Sequence, residues 1–212
     1  MKNKQRRVHV VLISGKKQSG KDTAADILNK DFGYIKVSFA GMLKEASAAV
    51  LSVLTGTTIK RVWFEDNTFK SMALPGYAIT YREFLQYFGT EFVRKYIHKN
   101  FWVHTAVDSI VYSVSNKKKF SFVIQDARFP SEIKTFSKEL LEVYPDAVIT
   151  TVRVQRKSRS FLNKIYDQFK EHSSENSLDF YNKWDYKIYN YHDLKTYKNV
   201  IRSCILDVLS NI

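Results

Sequence analysis

The chain has 212 residues, 44% of them apolar and 15% aromatic, with 7 Gly and 3 Pro; that balance suits one compact domain with a real core and excludes disordered, collagen-like and low-complexity classes. Its 34 Lys and Arg against 21 Asp and Glu give a net charge of +13, which favours anionic partners (nucleotide, nucleic acid or an acidic membrane face) beside the plain alternative of a solubilising surface. The single cysteine, Cys204, excludes a disulfide framework and a multi-cysteine zinc site, and no apolar run reaches the roughly 18–20 residues of a membrane span. Residues 8–14 (VHVVLIS) form a β-branched run that stops at Gly15, the pattern of a buried parallel strand. Residues 23–29 read as a helix with Ala24, Ile27 and Leu28 apolar, 34–40 as a second strand, and 42–54 as a helix. Residues 55–79, which contain Gly56, Pro75 and Gly76, fit no period and are expected to form a mobile insertion.

Thr80 with Glu83 three residues on is a capping box, predicting a helix over 80–97 in which Phe84, Leu85, Phe88, Phe92 and Val93 recur at helical spacing. A helix over 102–114 follows, then a lysine turn at 117–119 and a strand at 120–125 that ends on Asp126. Pro130 opens another helix, 147–154 is a fourth strand, and 186–189 a weaker fifth. The last helix covers 194–209, with Cys204 on its apolar stripe as core packing. Strands alternating with helices predict an α/β parallel sheet covered on both faces. The basic start of the chain leads into only a short apolar run, so no secretory signal is read and a soluble cytoplasmic protein without a membrane partner is expected.

The most informative stretch is Gly15-Lys16-Lys17-Gln18-Ser19-Gly20-Lys21-Asp22-Thr23, with the G-x-x-x-x-G-K spacing of a phosphate-binding loop, set between a strand and a helix. Its glycines let successive N–H groups turn inward on phosphate, the helix adds its positive end, and Lys21 supplies a mobile cation for a transferring phosphoryl group. Asp22 stands where Ser or Thr would hold Mg²⁺; a carboxylate is a hard ligand for the same ion, directly or through water.

These residues resemble the viral, bacteriophage-type deoxynucleoside monophosphate kinases of the P-loop kinase superfamily, which also carry Asp after the loop lysine. The resemblance continues in Phe39-Ala40-Gly41-Met42-Leu43-Lys44-Glu45, in REFLQYFGTEFVRKYIHKNFWV from Arg82 to Val103, and in VIQDARFPSE from Val123 to Glu132. It returns in His172-Ser173-Ser174-Glu175 and in Asp185-Tyr186-Lys187-Ile188-Tyr189-Asn190. The metazoan phosphomevalonate kinases share the loop and the D-x-R strand end but are less similar in the middle of the chain.

The resemblance implies a three-layer αβα P-loop kinase fold with a five-stranded, mostly parallel sheet in a single domain, a helical acceptor-binding region at about 42–115 and a lid at about 155–180. It implies ATP and Mg²⁺, with Gly15, Lys17, Gln18, Ser19, Gly20, Lys21, Asp22 and Thr23 around the nucleotide or its metal, and Asp22 as the metal ligand. Lys21, Asp126 and Arg128 would be catalytic, with Arg82 and Arg128 on the acceptor phosphate, Gly89 allowing close approach, Trp102 walling in base or sugar, and Glu132 bonding sugar or base. Each has a structural alternative: core packing for Trp102, a solvated helix residue for Arg82, an ion pair for Asp126 with Arg128, and helix N-terminal stabilisation for Glu132. In the stretch from Arg153 to Glu175, Arg156 and Arg159 are the basic residues nominated for the lid, against the alternative of a solvated helix. Nucleotide substrates are the expected partners; a nucleic acid polymer is not called for, and a homodimer is left open. Competing readings are a phosphomevalonate- or dephospho-coenzyme A-type kinase and a DNA-stimulated ATPase.

Overall fold

The computed structural model describes residues 7–156, 177–191 and 193–210. The chain runs β1 (His9–Ser14), α1 (Lys21–Phe32), β2 (Ile35–Val37), α2 (Gly41–Thr55), a 3-10 turn (Arg61–Glu65), α3 (Asn67–Ser71), α4 (Tyr81–Gln86) and a π-helix (Tyr87–Ile97). It continues through α5 (Phe101–Lys117), β3 (Ser121–Ile124), α6 (Pro130–Val143), β4 (Val148–Arg156), β5 (Tyr186–Asn190) and α7 (Leu194–Ser210). It divides into two compact units, one made of Met1–Val37 with Val107–Ile212, the other of Ser38–Ala106.

The first unit is built on a five-stranded sheet in the order β2-β3-β1-β4-β5, with every neighbouring pair parallel. All five strands are thus parallel where a mostly parallel sheet is expected. β1 is buried along its whole length, because a central strand between two helical layers meets apolar side chains on both faces. Val11 and Ile13 point into a core with Ala24, Ala25, Ile27 and Leu28 of α1 and Tyr197, Ile201 and Ile205 of α7. Val10 and Leu12 point the other way, towards the face where Ile110 of α5 and Phe136 and Leu140 of α6 are buried. The second strand is shorter than its sequence pattern, three residues instead of seven, since the chain leaves the sheet after Val37. Cys204 is half-buried against the α1/α7 core, its thiol pushed up to about 11 by burial and then by Asp207.

The second unit corrects two expectations. Residues 55–79 are not a loose insertion: Phe64 is fully buried with Leu51, Ile59, Leu74 and Tyr81, and the Phe69 ring stacks on Tyr81 at 4.4 Å. Ser52 Oγ accepts from the Ile59 N–H at 2.8 Å, and Ala73 bridges Thr80. These elements are too short to show a period, so aromatic burial holds a segment whose Gly and Pro only punctuate it.

The second correction concerns 80–97. Thr80 and Glu83 do form the capping box, with the Thr80 N–H on Glu83 Oε2 at 2.7 Å and the Glu83 N–H on Thr80 Oγ1 at 3.2 Å. These bonds lower the Glu83 carboxyl below its ordinary range. The α-helix nevertheless ends at Gln86 and widens into a π-helix over Tyr87–Ile97. Phe84 of α4 stacks on Phe88, and Phe88 on Phe92 within the π-helix, at 5.7 and 6.1 Å.

One buried polar chain crosses the core of the first unit. The Tyr34 hydroxyl, pushed up to about 12 by burial, lies 2.6 Å from His9 Nδ1. His9 Nε2 lies 3.2 Å from Thr150 Oγ1, so the neutral ring donates through one nitrogen and accepts through the other. Burial lowers His9 from 6.5 to about 4. The unfolded chain therefore takes up this proton first as pH falls. The contribution is complete above about pH 6.5 and fades towards pH 4, a total of about 3 kcal/mol. Urea midpoints should fall between pH 7 and pH 4.5, and His9→Gln should flatten that dependence; an equally steep profile in the variant would refute the assignment.

Candidate functional site

Parallel strands bring their carboxyl ends to one edge of the sheet, and each delivers a piece of the site there. β1 ends in Ser14 and runs into the loop from Gly15 to Gly20; β3 ends before Asp126, Ala127 and Arg128; β4 carries Arg153 beside Ser14; β5 ends in Asn190. Ser14, Gly15, Lys21, Asp126, Ala127, Arg128, Arg153 and Leu178 line one pocket.

The loop is held by contacts that leave no room at two positions. A Cβ on Gly15 would lie 2.4 Å from Ser19 Oγ and 2.6 Å from the Val154 carbonyl, so only glycine fits. Gly20 adopts φ 105, a left-handed value, and a Cβ there would meet Asn190 Nδ2 at 2.7 Å. Asn190 Nδ2 donates to the Ser19 carbonyl and the Tyr197 hydroxyl to the Gly20 carbonyl, both at 3.0 Å. The Tyr197 hydroxyl is pushed up by burial, so it remains a donor. Gln18 also has positive φ, at 61, and Arg156 Nη1 reaches its carbonyl at 3.4 Å. Lys17 and Gln18 are exposed at the rim, while Ser19 is buried with its Oγ unpartnered among the described residues.

Lys21 opens α1 and turns its Nζ back to the Lys16 carbonyl at 3.4 Å. Asp22 is exposed in the first turn, with Thr23 half-buried beside it. Oxygen donors of this kind fit Mg²⁺, which takes one or two carboxylates and completes its shell with water and substrate oxygens. No cluster of three or more His, Cys, Asp or Glu able to hold a metal by itself occurs among the described residues.

Across the pocket, Glu132 is 5% exposed and its Oε2 accepts the N–H of Arg128 at 2.9 Å and of Phe129 at 3.1 Å. It binds the turn that carries Arg128, as its helix-terminal alternative anticipates, with Pro130 in the first turn of α6. Arg128 itself is exposed at the pocket wall.

Arg82, Gly89 and Trp102 lie in the second unit. Trp102 is 4% exposed and its indole N–H donates to the Gly89 carbonyl at 3.1 Å, inside the helical packing rather than on a surface open to a base. Gly89 does serve a close approach, but that of Leu43: a Cβ would lie 2.6 Å from Leu43 Cδ2. Arg82 Nη2 reaches Asn67 Oδ1 at 3.4 Å, in a cationic cluster the sequence reading missed. Lys70 is lowered by burial, then by Lys44 and Arg82; Glu65 bonds Lys44 at 2.8 Å and lies 3.6 Å from Arg61.

Arg153, Asn190 and Tyr197 were also missed as site residues. Nothing local marks them, for they reach the loop from more than 130 positions away. Of the proposed lid, Arg156 packs on the loop, whereas Arg159, Lys164, Lys170 and His172-Ser173-Ser174-Glu175 lie outside the described residues. No helix among the described residues is long and apolar enough to cross a membrane.

No protein-family model matches the chain. A protein of Acanthamoeba polyphaga mimivirus, "Putative deoxynucleotide monophosphate kinase", is 32% identical over 139 residues, covering 60% of this chain and 67% of that protein. Among solved structures, a "putative kinase" from Chloroflexus aurantiacus superposes with a TM-score of 0.50 at 11% identity, covering 98% of this chain and all of that one. The dephospho-CoA kinase of Campylobacter jejuni gives 0.48 at 14% identity, covering 96% and 98%. At such identities the structural likeness shows the fold alone.

Because Gly15 packs against Ser19 and the Val154 carbonyl, Gly15→Ala must displace the loop or strain the sheet. A loss of about 1–3 kcal/mol in chemical denaturation is expected, with weakened nucleoside triphosphate binding by calorimetry. Unchanged values for both would show that the loop has slack the packing does not suggest.

Proposed function

The chain belongs to the deoxynucleotide monophosphate kinase family of P-loop kinases, as a relative of the mimivirus protein, and from that premise we propose that it transfers the γ-phosphoryl group of ATP to the phosphate of a deoxynucleoside monophosphate. The observation that carries this reading is the convergence of Lys21, Asp126, Arg128 and Arg153 on one pocket beside the phosphate loop.

The chemistry asks for alignment more than for proton transfer. The acceptor's nucleophile is a phosphate oxygen with a second pKa of about 6, already dianionic at neutral pH, so no general base is required. Two crowded polyanions must instead be neutralised and held in line. The main-chain amides of the loop hold the triphosphate, and Lys21 follows the charge as it spreads over the transferring group. Arg128 grips the acceptor phosphate, a guanidinium being suited to two oxygens at once, and Glu132 keeps its backbone in place. Arg82 is assigned to the same acceptor by the family resemblance, with Lys44 and Lys70 as cations of its own unit that favour an anion near it. Asp22 and Thr23 would hold magnesium, with Asp126 ordering a water in its shell; the ion supplies neutralisation of phosphoryl oxygens when bound.

An acceptor panel tests the reading: ATP with each of the four deoxynucleoside monophosphates, their ribose counterparts, phosphomevalonate and dephospho-coenzyme A. Formation of deoxynucleoside diphosphate is expected, unaffected by added DNA. Transfer to phosphomevalonate or dephospho-coenzyme A and to no nucleotide would overturn it. Lys21→Ala should lower kcat by about 10²-fold or more, in the range of losing one transition-state donor. Arg128→Lys should chiefly raise the acceptor's KM.

A further inference from the structure

Asp179 carries no role in the machinery assigned above, yet it bridges Arg153 of the pocket and Lys16 of the loop. Its Oδ1 accepts from Arg153 Nη2 at 2.7 Å, and its Oδ2 lies 3.2 Å from Lys16 Nζ. Arg153 has 5% of its side chain exposed, bonds Ser14 Oγ through Nη1 at 3.0 Å, and lines the pocket with Lys21 and Arg128. Leu178 lines the same pocket, and the Ser177 hydroxyl donates to the Arg128 carbonyl, so residues 177–179 run along its wall.

A carboxylate with one oxygen on a guanidinium and the other on an ammonium occupies the donor set that two phosphoryl oxygens would use. Lys16 belongs to the phosphate loop itself, and its side chain is drawn to Asp179. Buried guanidinium groups need a compensating anion at all times, and Asp179 meets that need for Arg153.

We infer that Lys16 and Arg153 are further phosphate-binding residues of the nucleotide site, and that Asp179 is an internal anion competing with the ligand's phosphate for them. The inference rests on the kinase reading for the identity of the ligand, while the competition itself concerns any phosphate. Two like charges held about 6 Å apart at a half-exposed site oppose each other enough to change affinity by roughly tenfold. The competition loosens the enzyme's hold on spent nucleotide, so product leaves sooner than the cationic wall alone would allow.

Pyrophosphate is the probe, titrated by calorimetry into the full chain and into Asp179→Asn, Asp179→Glu and Lys16→Gln. Asp179→Asn should bind about three- to tenfold more tightly, Asp179→Glu should match the parent, and Lys16→Gln should bind several-fold more weakly. Equal or weaker binding by Asp179→Asn overturns the inference, as does Lys16→Gln binding like the parent. Asp179→Asn removes one carboxylate charge from beside Arg153 and is expected to melt lower when ligand-free. Its larger thermal shift with pyrophosphate is then a second readout, and a shift no larger than the parent's counts against the inference. Nucleotide turnover without the tightening rejects this inference alone. Tightening without turnover of any deoxynucleotide supports it and rejects the acceptor assigned above.

Discussion

The structure turns on a contact that only hydrogen can fill. Where β1 gives way to the loop, the Cα of Gly15 faces Ser19 Oγ and the Val154 carbonyl at distances that exclude any carbon substituent. That closeness lets the chain reverse within a few residues and start α1 at Lys21, so that loop amides and helix N-terminus face the same space. The parallel sheet makes the contact possible, because β4 runs alongside β1 in register, with Arg153 level with Ser14. Arg153 owes its place in the pocket to that register.

A protein of charge +13 has to keep its cations apart or matched before a ligand arrives. In the sheet unit Asp179 stands between Lys16 and Arg153; in the helical unit Glu65 stands between Lys44 and Arg61. Burial opposes the charge of Glu65, but its hydrogen bond to Lys44 and the nearby Lys44, Arg61 and Lys70 charges outweigh that and hold its carboxyl below the ordinary range. Two cationic groups of the described residues thus each hold a resident carboxylate.

Much of the sheet unit was legible from local pattern. The run VHVVLIS, the loop spacing that follows, and Pro130 each carry their structure in neighbouring residues, and β1, the loop and α6 stand where those signals put them. What local pattern could not carry was anything decided by distant packing. Phe64 and Tyr81 close a core around residues that look like punctuation, and the π-helix carries Gly89 against Leu43 and Trp102. The same limit applies to the site. Lys21, Asp126 and Arg128 follow from motif and strand end, whereas Arg153, Asp179, Asn190 and Tyr197 join it only because β4, β5 and α7 are brought against the loop. Trp102 shows the converse: a residue type suited to stacking on a base is spent on anchoring a helix.

The two hydrogen bonds that floor the loop come from Asn190 and Tyr197, 171 and 177 positions along the chain from the carbonyls they hold. A growing chain can pair β1 with β3 and β4 and still lack the struts that set Gly20 in its left-handed turn. The floor of the loop is thereby deferred until both β5 and α7 have packed against it.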